Sequence, residues 1–456
     1  MDRHRRYWRE LRPTLALAAP IIFGQLSQMA INVTDSVMIG RVGTVPLAAS
    51  AFVGSVFGMG FILGAGLLTA VPVLVARARG AEEPQEAGEV LRHGVFIATI
   101  FSLLEMLVLA IVGMQLHRFG QPPEVIAEAG PYYALIVASL LPALVFQAFR
   151  QYAESLGRPW IPMAIMSAGV LLNVFLNWVF IYGKLGSPAL GLAGAGIATL
   201  LARILSLVVL VAWLHRETEL RPYWPARWRG ALLRDHLREL LRIGVPAAGQ
   251  LMFEGGAFTV AALIVGWLGA VSLAAHQIAL SCAATTFMFT LGISSAASMR
   301  VAQAAGAGEH DRLRPIGLTA LAAGLVCMTL FAVVFATAGD VLAGWFVKDA
   351  VVVELAANLL IVAAVFQVFD GTQVIGAGIL RGLTDVRIPT AITFVAYWLI
   401  ALPSGYWFGV RGSAGAVGVW FGLAAGLAFA AVFLALRFAV LTKGKHEVGP
   451  APMPAK

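Results

Sequence analysis

HRETELRPYWPARWRGALLRDHLRELLR, residues 215–242, interrupts a chain that is otherwise made for oil. This segment carries seven arginines, whereas of all 456 residues 59% are hydrophobic and only 12% are charged. An ordinary soluble chain has roughly a quarter of its residues charged. On either side of the segment, apolar runs follow one another, each long enough to cross a hydrocarbon core of about 30 Å. Six precede it, at 14–39, 46–72, 94–114, 130–149, 160–182 and 190–214. Six come after it, at 243–267, 272–298, 315–338, 351–378, 388–409 and 413–437. Backbone groups in lipid must be satisfied within their own segment, and runs without alternating polarity do this as helices rather than barrel strands. The expected fold class is therefore all-α integral membrane, with twelve transmembrane helices.

The two halves repeat. APIIFGQL (19–26) returns as VPAAGQL (245–251), and VGTVPLAASA (42–51) returns as LGAVSLAAHQ (268–277). VARARGAEE (75–83) returns as VAQAAGAGE (301–309), 226 residues on, and GLAGAGIA (191–198) meets GSAGAVGV (412–419). Four matches in order at nearly constant offset indicate a duplication. Six crossings bring the chain back to its starting side, so the repeat is parallel. Two pseudo-symmetric six-helix lobes are expected, 1–214 and 243–456 with a short tail, joined by the linker 215–242. A cleft between them, opened alternately by rocking, is the usual use of such a repeat.

The net charge of +8 reports topology rather than a nucleic-acid partner. With the N-terminus inside, only Arg41, Arg118, Lys184, Lys348 and Arg411 of the 32 Lys and Arg fall on the outer side, and only Arg203 lies deep within a span. That asymmetry is the positive-inside rule, and it places both termini in the cytoplasm. RHRRYWRELR followed by LALAAP resembles a signal peptide, but its apolar run continues well past Ala19, so an uncleaved first helix is expected. Cys282 and Cys327 lie in apolar runs, where they imply neither a disulfide framework nor a metal cluster. The tail GKHEVGPAPMPAK reads as unstructured, and Lys348 and Asp349 as an outer loop.

Charges inside the spans decide where function lies, since each costs on the order of 2.5 to 3.5 kcal/mol at the bilayer centre unless paired or hydrated. Away from the span ends there are five: Asp35, Glu105, Arg203, Glu254 and Asp370. At about 1.5 Å rise per residue, Glu254 and Asp370 stand at one depth, roughly 16 to 18 Å above the inner boundary. Two carboxylates sharing a low-dielectric site cannot both stay ionised at low cost, so the pair takes up a proton or a cation. The only base expected within spans seven to twelve is His276, as readily a packing residue as a site member. Glu105 and Arg203 also match in depth and are expected to form an ion pair between the third and sixth helices.

Asp35 stands nearer the outer surface. Asn173 and Asn177, four residues apart, share a helix face, and with Thr199 they stand at a compatible depth. A carboxylate with amide and hydroxyl oxygens holds Na⁺ or relays a proton, although the same residues also fit polar packing between helices. Pro20 and Pro246 occupy matching repeat positions and permit bending. Met29, Met252, Phe253 and Phe287 read as ordinary packing.

DSVMIGRVGTVPLAA (35–49), GQLMFEGGAF (249–258), AAHQIA (274–279), VAQAAGAGEHDR (301–312) and FDGTQVIGAGILRGLTDVRIP (369–389) carry a resemblance. Over residues 10–440 the chain resembles the multidrug and toxic compound extrusion (MATE) family, in particular its NorM-like branch. The resemblance implies secondary active efflux of cationic amphipathic drugs in exchange for Na⁺ or H⁺, by a bacterial inner-membrane protein that works as a monomer among lipids. It also implies that Glu254 and Asp370 are coupling or substrate-binding carboxylates, and that Asp35 and Asn173 form a second site able to hold Na⁺. Where some members carry a tyrosine four residues before the helix-ten aspartate, this chain has Phe366, which removes one Na⁺ oxygen and favours a proton.

Other classes fit less well. No Walker A sequence for an ATPase is present, and isolated deep acids are unlike the clustered headgroup-level residues of a membrane transferase. No enzyme activity and no cofactor beyond the coupling ion are expected. A flippase for lipid-linked sugars is the alternative; it should line its cleft with cations, whereas Arg203 is expected to be neutralised by Glu105.

Overall fold

A computed structural model describes residues 2–443, with side chains from residue 7 onward; the tail 444–456 lies outside the described residues. Among these residues twelve helices are long and apolar enough to cross a membrane. In the first half they are α1 Tyr7–Gly40, α2 Thr44–Gly80, α3 Pro84–Gly113, α4 Pro123–Ser155, α5 Trp160–Tyr182 and α6 Gly191–Arg216. The second half has α7 Arg234–Gly266, α8 Ala270–Gly306, α9 His310–Gly344, α10 Ala350–Gly382, α11 Arg387–Arg411 and α12 Gly415–Lys443.

Several helices run past the apolar stretches that announce them. Thus α7 begins at Arg234, inside the polar segment, because RDHLRELL is itself strongly helix-forming. The structure opens α3 with Pro84 in its first turn, and the Asp349 carboxylate caps α10 by accepting from the Val351 N–H at 2.9 Å. Between α6 and α7 the chain forms a 3₁₀ turn, Thr218–Tyr223, and is strapped down. Tyr152 donates to the Tyr223 carbonyl at 2.6 Å, Arg92 to the Ala231 carbonyl at 2.9 Å, and Trp224 and Trp228 stack about Phe149.

The residues gather into two compact units. One comprises 1–22, 80–82 and 249–456; the other comprises 23–79 and 83–248. Each boundary in α1 and α7 falls two residues beyond a proline, Pro20 and Pro246. Proline lacks the N–H that would close the helical bond to the preceding turn, so a helix changes its packing surroundings there at least cost. The unit boundaries therefore lie inside two helices rather than in the polar linker.

Within the first unit, the start of α1 is held by charge. The Glu10 carboxylate, 6% exposed, accepts from Arg300 of α8 and from Arg312 of α9, the latter through Nε at 2.9 Å. Arg300 also donates to the Glu10 carbonyl at 2.6 Å and to Thr14 Oγ1. At the core of this unit α10 packs against α8 through Gly378 and Gly382. A Cβ on Gly378 would stand 2.8 Å from the Ser294 carbonyl oxygen, and one on Gly382 2.5 Å from that of Ser298. The GAGILRG sequence is thus a close-approach seam between two helix backbones.

Removing one partner of a buried, hydrogen-bonded ion pair leaves the other uncompensated, at about 3 to 5 kcal/mol. Glu10→Gln therefore lowers the melting temperature of the detergent-purified protein by several degrees. Glu309→Gln, which breaks only the exposed pair to Arg312, leaves it nearly unchanged. Gly382→Val, driven into backbone rather than a movable side chain, lowers the yield of folded protein on size-exclusion chromatography.

Candidate functional site

Each unit holds one cluster of polar groups where the lipid core should be. In the first unit Glu254 and Asp370 are brought together by α7 and α10, 8% and 6% exposed, and they interact electrostatically. The depth match along the two helices is thus accompanied by an electrostatic interaction between the two acids. Gln373, one turn beyond Asp370, lies within interaction range of the Glu254 carboxylate, but neither of its amide atoms has a partner at hydrogen-bond geometry. Asp370 Oδ1 and the Tyr397 hydroxyl are likewise buried without partners. Asp370, Gln373 and Tyr397 thus bring unmade polar bonds to the neighbourhood of Glu254 in a low-dielectric interior, where a proton or a small cation would satisfy them.

Tyr397 reaches this cluster because α11 is not a regular helix. Residues Val395–Ala401 form π-helical turns, which insert an extra residue and rotate the later part of the helix about its axis. Trp398 on the same turns donates its indole N–H to the Phe253 carbonyl at 3.1 Å, fixing α11 beside the turn that carries Glu254. Nothing in YWLIA announces π geometry, so the sequence gives no sign of this hydroxyl.

The structure places two basic side chains of this unit. Arg381, one residue before the end of α10, is an electrostatic neighbour of Glu254. Of the two readings open for His276, the packing one holds: its Nδ1 accepts from the Trp420 indole at 3.0 Å in the apolar core. Phe366 belongs to the same core, its ring edge-on to Phe258 and Trp420 at 6.0 and 5.3 Å.

In the second unit Asp35, Asn177, Asn173 and Thr199 form one chain of contacts. Asn177 donates to Asp35 Oδ1 at 2.5 Å and to Asn173 Oδ1 at 3.1 Å; Asn173 donates to Thr199 Oγ1 at 3.4 Å. Asn173 and Asn177 are almost wholly buried. The i, i+4 spacing on α5 makes this possible by stacking both amides on one face. The chain ends at a cavity whose wall includes Asn173 and Thr199, together with Gln28, Phe61, Phe146 and Met166. Of these aromatic and methionine positions none is distinguished by sequence from packing residues.

Glu105 and Arg203 are not paired. Both Glu105 carboxylate oxygens are buried without a partner, pressed against Gly60, where a Cβ would overlap Oε1. Arg203 turns the other way. Its Nη1 donates to Ser139 Oγ at 2.7 Å, its guanidinium lies 5.1 Å from the Phe57 ring centroid, and its electrostatic counterpart is Asp35. Ser139 is available because α4 is interrupted there, its hydroxyl donating to the Ile136 carbonyl at 2.7 Å. Depth along two helices does not fix which way their side chains face, and here the pair is not formed. The expectation that Glu105 neutralises Arg203, which counted against a lipid flippase, falls with it.

These two clusters sit in a chain that the MatE family profile matches over residues 20–179 and 246–407. The chain belongs to the MatE family. A "probable multidrug resistance protein NorM" of Burkholderia mallei is 38% identical, with 94% of this chain and 92% of that protein aligned. One of the same description from Agrobacterium fabrum is 34% identical over 96% and 95%. Among solved structures, the Vibrio cholerae MATE transporter VcmN in its bent form superposes with a TM-score of 0.88 at 21% identity, over 96% of this chain and 98% of that one. The eukaryotic MATE transporter AtDTX14 gives 0.87 at 22%, over 95% and 96%. As a MatE protein the chain is a multi-pass membrane transporter and not an enzyme. Among the described residues no group of three or more His, Cys, Asp or Glu gathers to hold a metal ion, and both cysteines are free.

Asn177 is the link between Asp35 and the rest of its cluster, so Asn177→Leu isolates the carboxylate. The expected result is loss of ion-dependent protection of the Asp35 region in hydrogen exchange, with the melting temperature lowered by no more than a few degrees.

Proposed function

We propose that this protein is a secondary active multidrug efflux transporter of a bacterial inner membrane, exporting cationic amphipathic compounds in exchange for Na⁺ or H⁺ by alternating access. The observation that carries the reading is that Glu254 and Asp370 share one electrostatic cluster inside a transmembrane unit, with Asp370 Oδ1, the Gln373 amide and the Tyr397 hydroxyl unpartnered. Relatives described as multidrug resistance proteins over nearly the whole chain support it. The excess of Lys and Arg on one side supports cytoplasmic termini. A monomer among lipids is sufficient, since each cluster is built within one chain.

The mechanism rests on competition for negative charge. With the site open outward, an incoming ion neutralises Glu254 and Asp370, or Asp35, and the attraction that held an organic cation disappears. The drug then leaves outward, and return of the loaded carboxylates inward releases the ion. The lobes 1–214 and 243–456, rocking about Pro20 and Pro246, would provide the alternation. Asp35 with Asn173, Asn177 and Thr199, and Glu254 with Asp370, are the two oxygen sets that would hold Na⁺ if Na⁺ is the ion.

The lipid-flippase alternative draws support from Arg203, which lines a cavity without a carboxylate bonded to it. The two acids sharing one pocket, and the relatives' descriptions, favour cation-coupled efflux.

In proteoliposomes, ethidium efflux should follow an inward gradient of one ion, imposed as Na⁺ or as H⁺ separately. Glu254→Gln and Asp370→Asn should each reduce that efflux at least tenfold while the protein still folds and inserts. Undiminished transport by both variants would remove these acids from the mechanism. Efflux indifferent to both gradients would remove ion exchange itself.

A further inference from the structure

The linker between α6 and α7 is held to α3 by its main chain. Gly88 lets it approach: a Cβ there would stand 2.8 Å from the Tyr223 carbonyl oxygen and 3.2 Å from Pro225 Cα. One turn on, the buried Arg92 donates to the carbonyls of Arg227 and Ala231 at 3.4 and 2.9 Å. Its Nη1 would stand 2.6 Å from a Cβ on Gly230. His93, fully buried, accepts from the Leu233 N–H through Nε2 at 2.9 Å. Two buried basic side chains are thus spent on the backbone of a short ledge, residues 227–233.

The side chains of that ledge are left to the outside. Arg227, Trp228, Arg229, Leu232, Leu233 and the next residue, Arg234, are all exposed. No acid lies between Glu219 and Asp235. Glu219 is bonded to Arg158, and Asp235 stands in the first turn of α7, where the helix itself favours negative charge. The Trp228 ring is braced, tilted on Phe149 at 6.1 Å and edge-on to Trp224 at 5.5 Å. Three guanidinium groups beside an indole and two leucines suit a partner that is at once anionic and apolar.

Depth identifies that partner. Arg92 and His93 immediately precede residue 94, where the apolar run of α3 begins, so α3 puts the ledge at the edge of the apolar layer. By contrast α7 starts at Arg234 and its apolar run at 243, which puts the ledge about 13 Å outside that edge. Phospholipid headgroups occupy the interval between those two levels. Arginine and tryptophan are the side chains such a boundary selects.

We propose that residues 227–234 form a binding site for anionic phospholipid in the leaflet on the linker's side. Arg227, Arg229 and Arg234 take the phosphates, and Trp228, Leu232 and Leu233 lie among the first carbons of the acyl chains. Neither drug export nor the identity of a coupling ion enters this assignment.

Binding of phosphatidylglycerol and of phosphatidylcholine to the full-length, detergent-purified protein is compared by native mass spectrometry. Each arginine at a headgroup favours an anionic lipid several-fold, so phosphatidylglycerol should bind about ten- to a hundredfold more tightly. Arg227→Gln, Arg229→Gln and Arg234→Gln together should remove that preference. Arg216→Gln, Arg221→Gln and Arg238→Gln together withdraw the same charge from elsewhere in the linker and helix ends, and should keep most of it. In nanodiscs, the fluorescence of Trp228, read as the difference from Trp228→Tyr, should be quenched by lipid brominated near the carboxyl end of its chains. Equal binding of the two lipids by the unsubstituted protein overturns the proposal without recourse to any variant. So does an equal loss in the two triple variants, which would make the preference one of net charge alone. Displacement of the lipid by excess soluble glycerol phosphate would make this a site for a free anion. A Trp228 indifferent to brominated lipid would leave the ledge to a soluble acidic partner, and either of these results also ends the lipid assignment.

Discussion

A carboxylate inside a hydrocarbon layer has no water to turn to, so it must find a neighbour, a proton or an ion. The described structure shows each of these resolutions left partly open at a different place. Asp35 is held by one amide of a three-residue chain. Glu254 and Asp370 face each other with a distant guanidinium for balance. Glu105 has only the hollow above Gly60. The degree of satisfaction differs among them: Glu10, bonded by two arginines, holds a helix in place, whereas Asp370 and Glu105 keep unmade bonds.

Backbone irregularities place the polar groups that matter. The interruption of α4 at Ser139 frees a hydroxyl that accepts from Arg203, and the π turns of α11 carry Tyr397 to the acids and Trp398 to the carbonyl before Glu254. Irregular backbone is tolerated at membrane depth only where it is enclosed by protein or faces a polar cavity. Ser139 is fully buried, and Ala396, Tyr397 and Ala401 of the π turns are buried on the side that faces the protein. The regular parts do the opposite task, and the glycine seam of α8 and α10 shows it: by bringing two backbones into contact it gives Asp370 and Gln373 a fixed platform.

What could be read without coordinates was one dimension of this. A rise per residue gives depth, and depth correctly grouped Glu254 with Asp370 and Asp35 with Asn173, Asn177 and Thr199. Depth says nothing of rotation about a helix axis. Glu105 and Arg203, grouped by depth, do not bond, and Arg381, a full three turns from Asp370 along α10, bears electrostatically on Glu254. Tyr397 was hidden for another reason, since π turns have no composition of their own. The twelve helices were legible because length and apolarity are set by the membrane, whereas the unit boundaries at Pro20 and Pro246 depend on packing that hydropathy does not record.

The duplication shows how position and chemistry separate. Glu10 binds Arg312 in one unit. The residues 226 positions from each, His236 and Glu86, bind one another in the other unit at 3.0 Å. The same two repeat positions, near the start of the first helix and of the third helix of each half, are bridged in both copies with the charges reversed. His236 also stacks on His93 at 4.9 Å, whose own nitrogens are engaged by the Glu89 carbonyl and the Leu233 N–H. Those two bonds require His93 to be neutral, with the proton on Nδ1 donating and Nε2 accepting. A neutral ring stacked against the bridging imidazole supplies contact without repelling it, so the second bridge stands without the guanidinium that the first one uses.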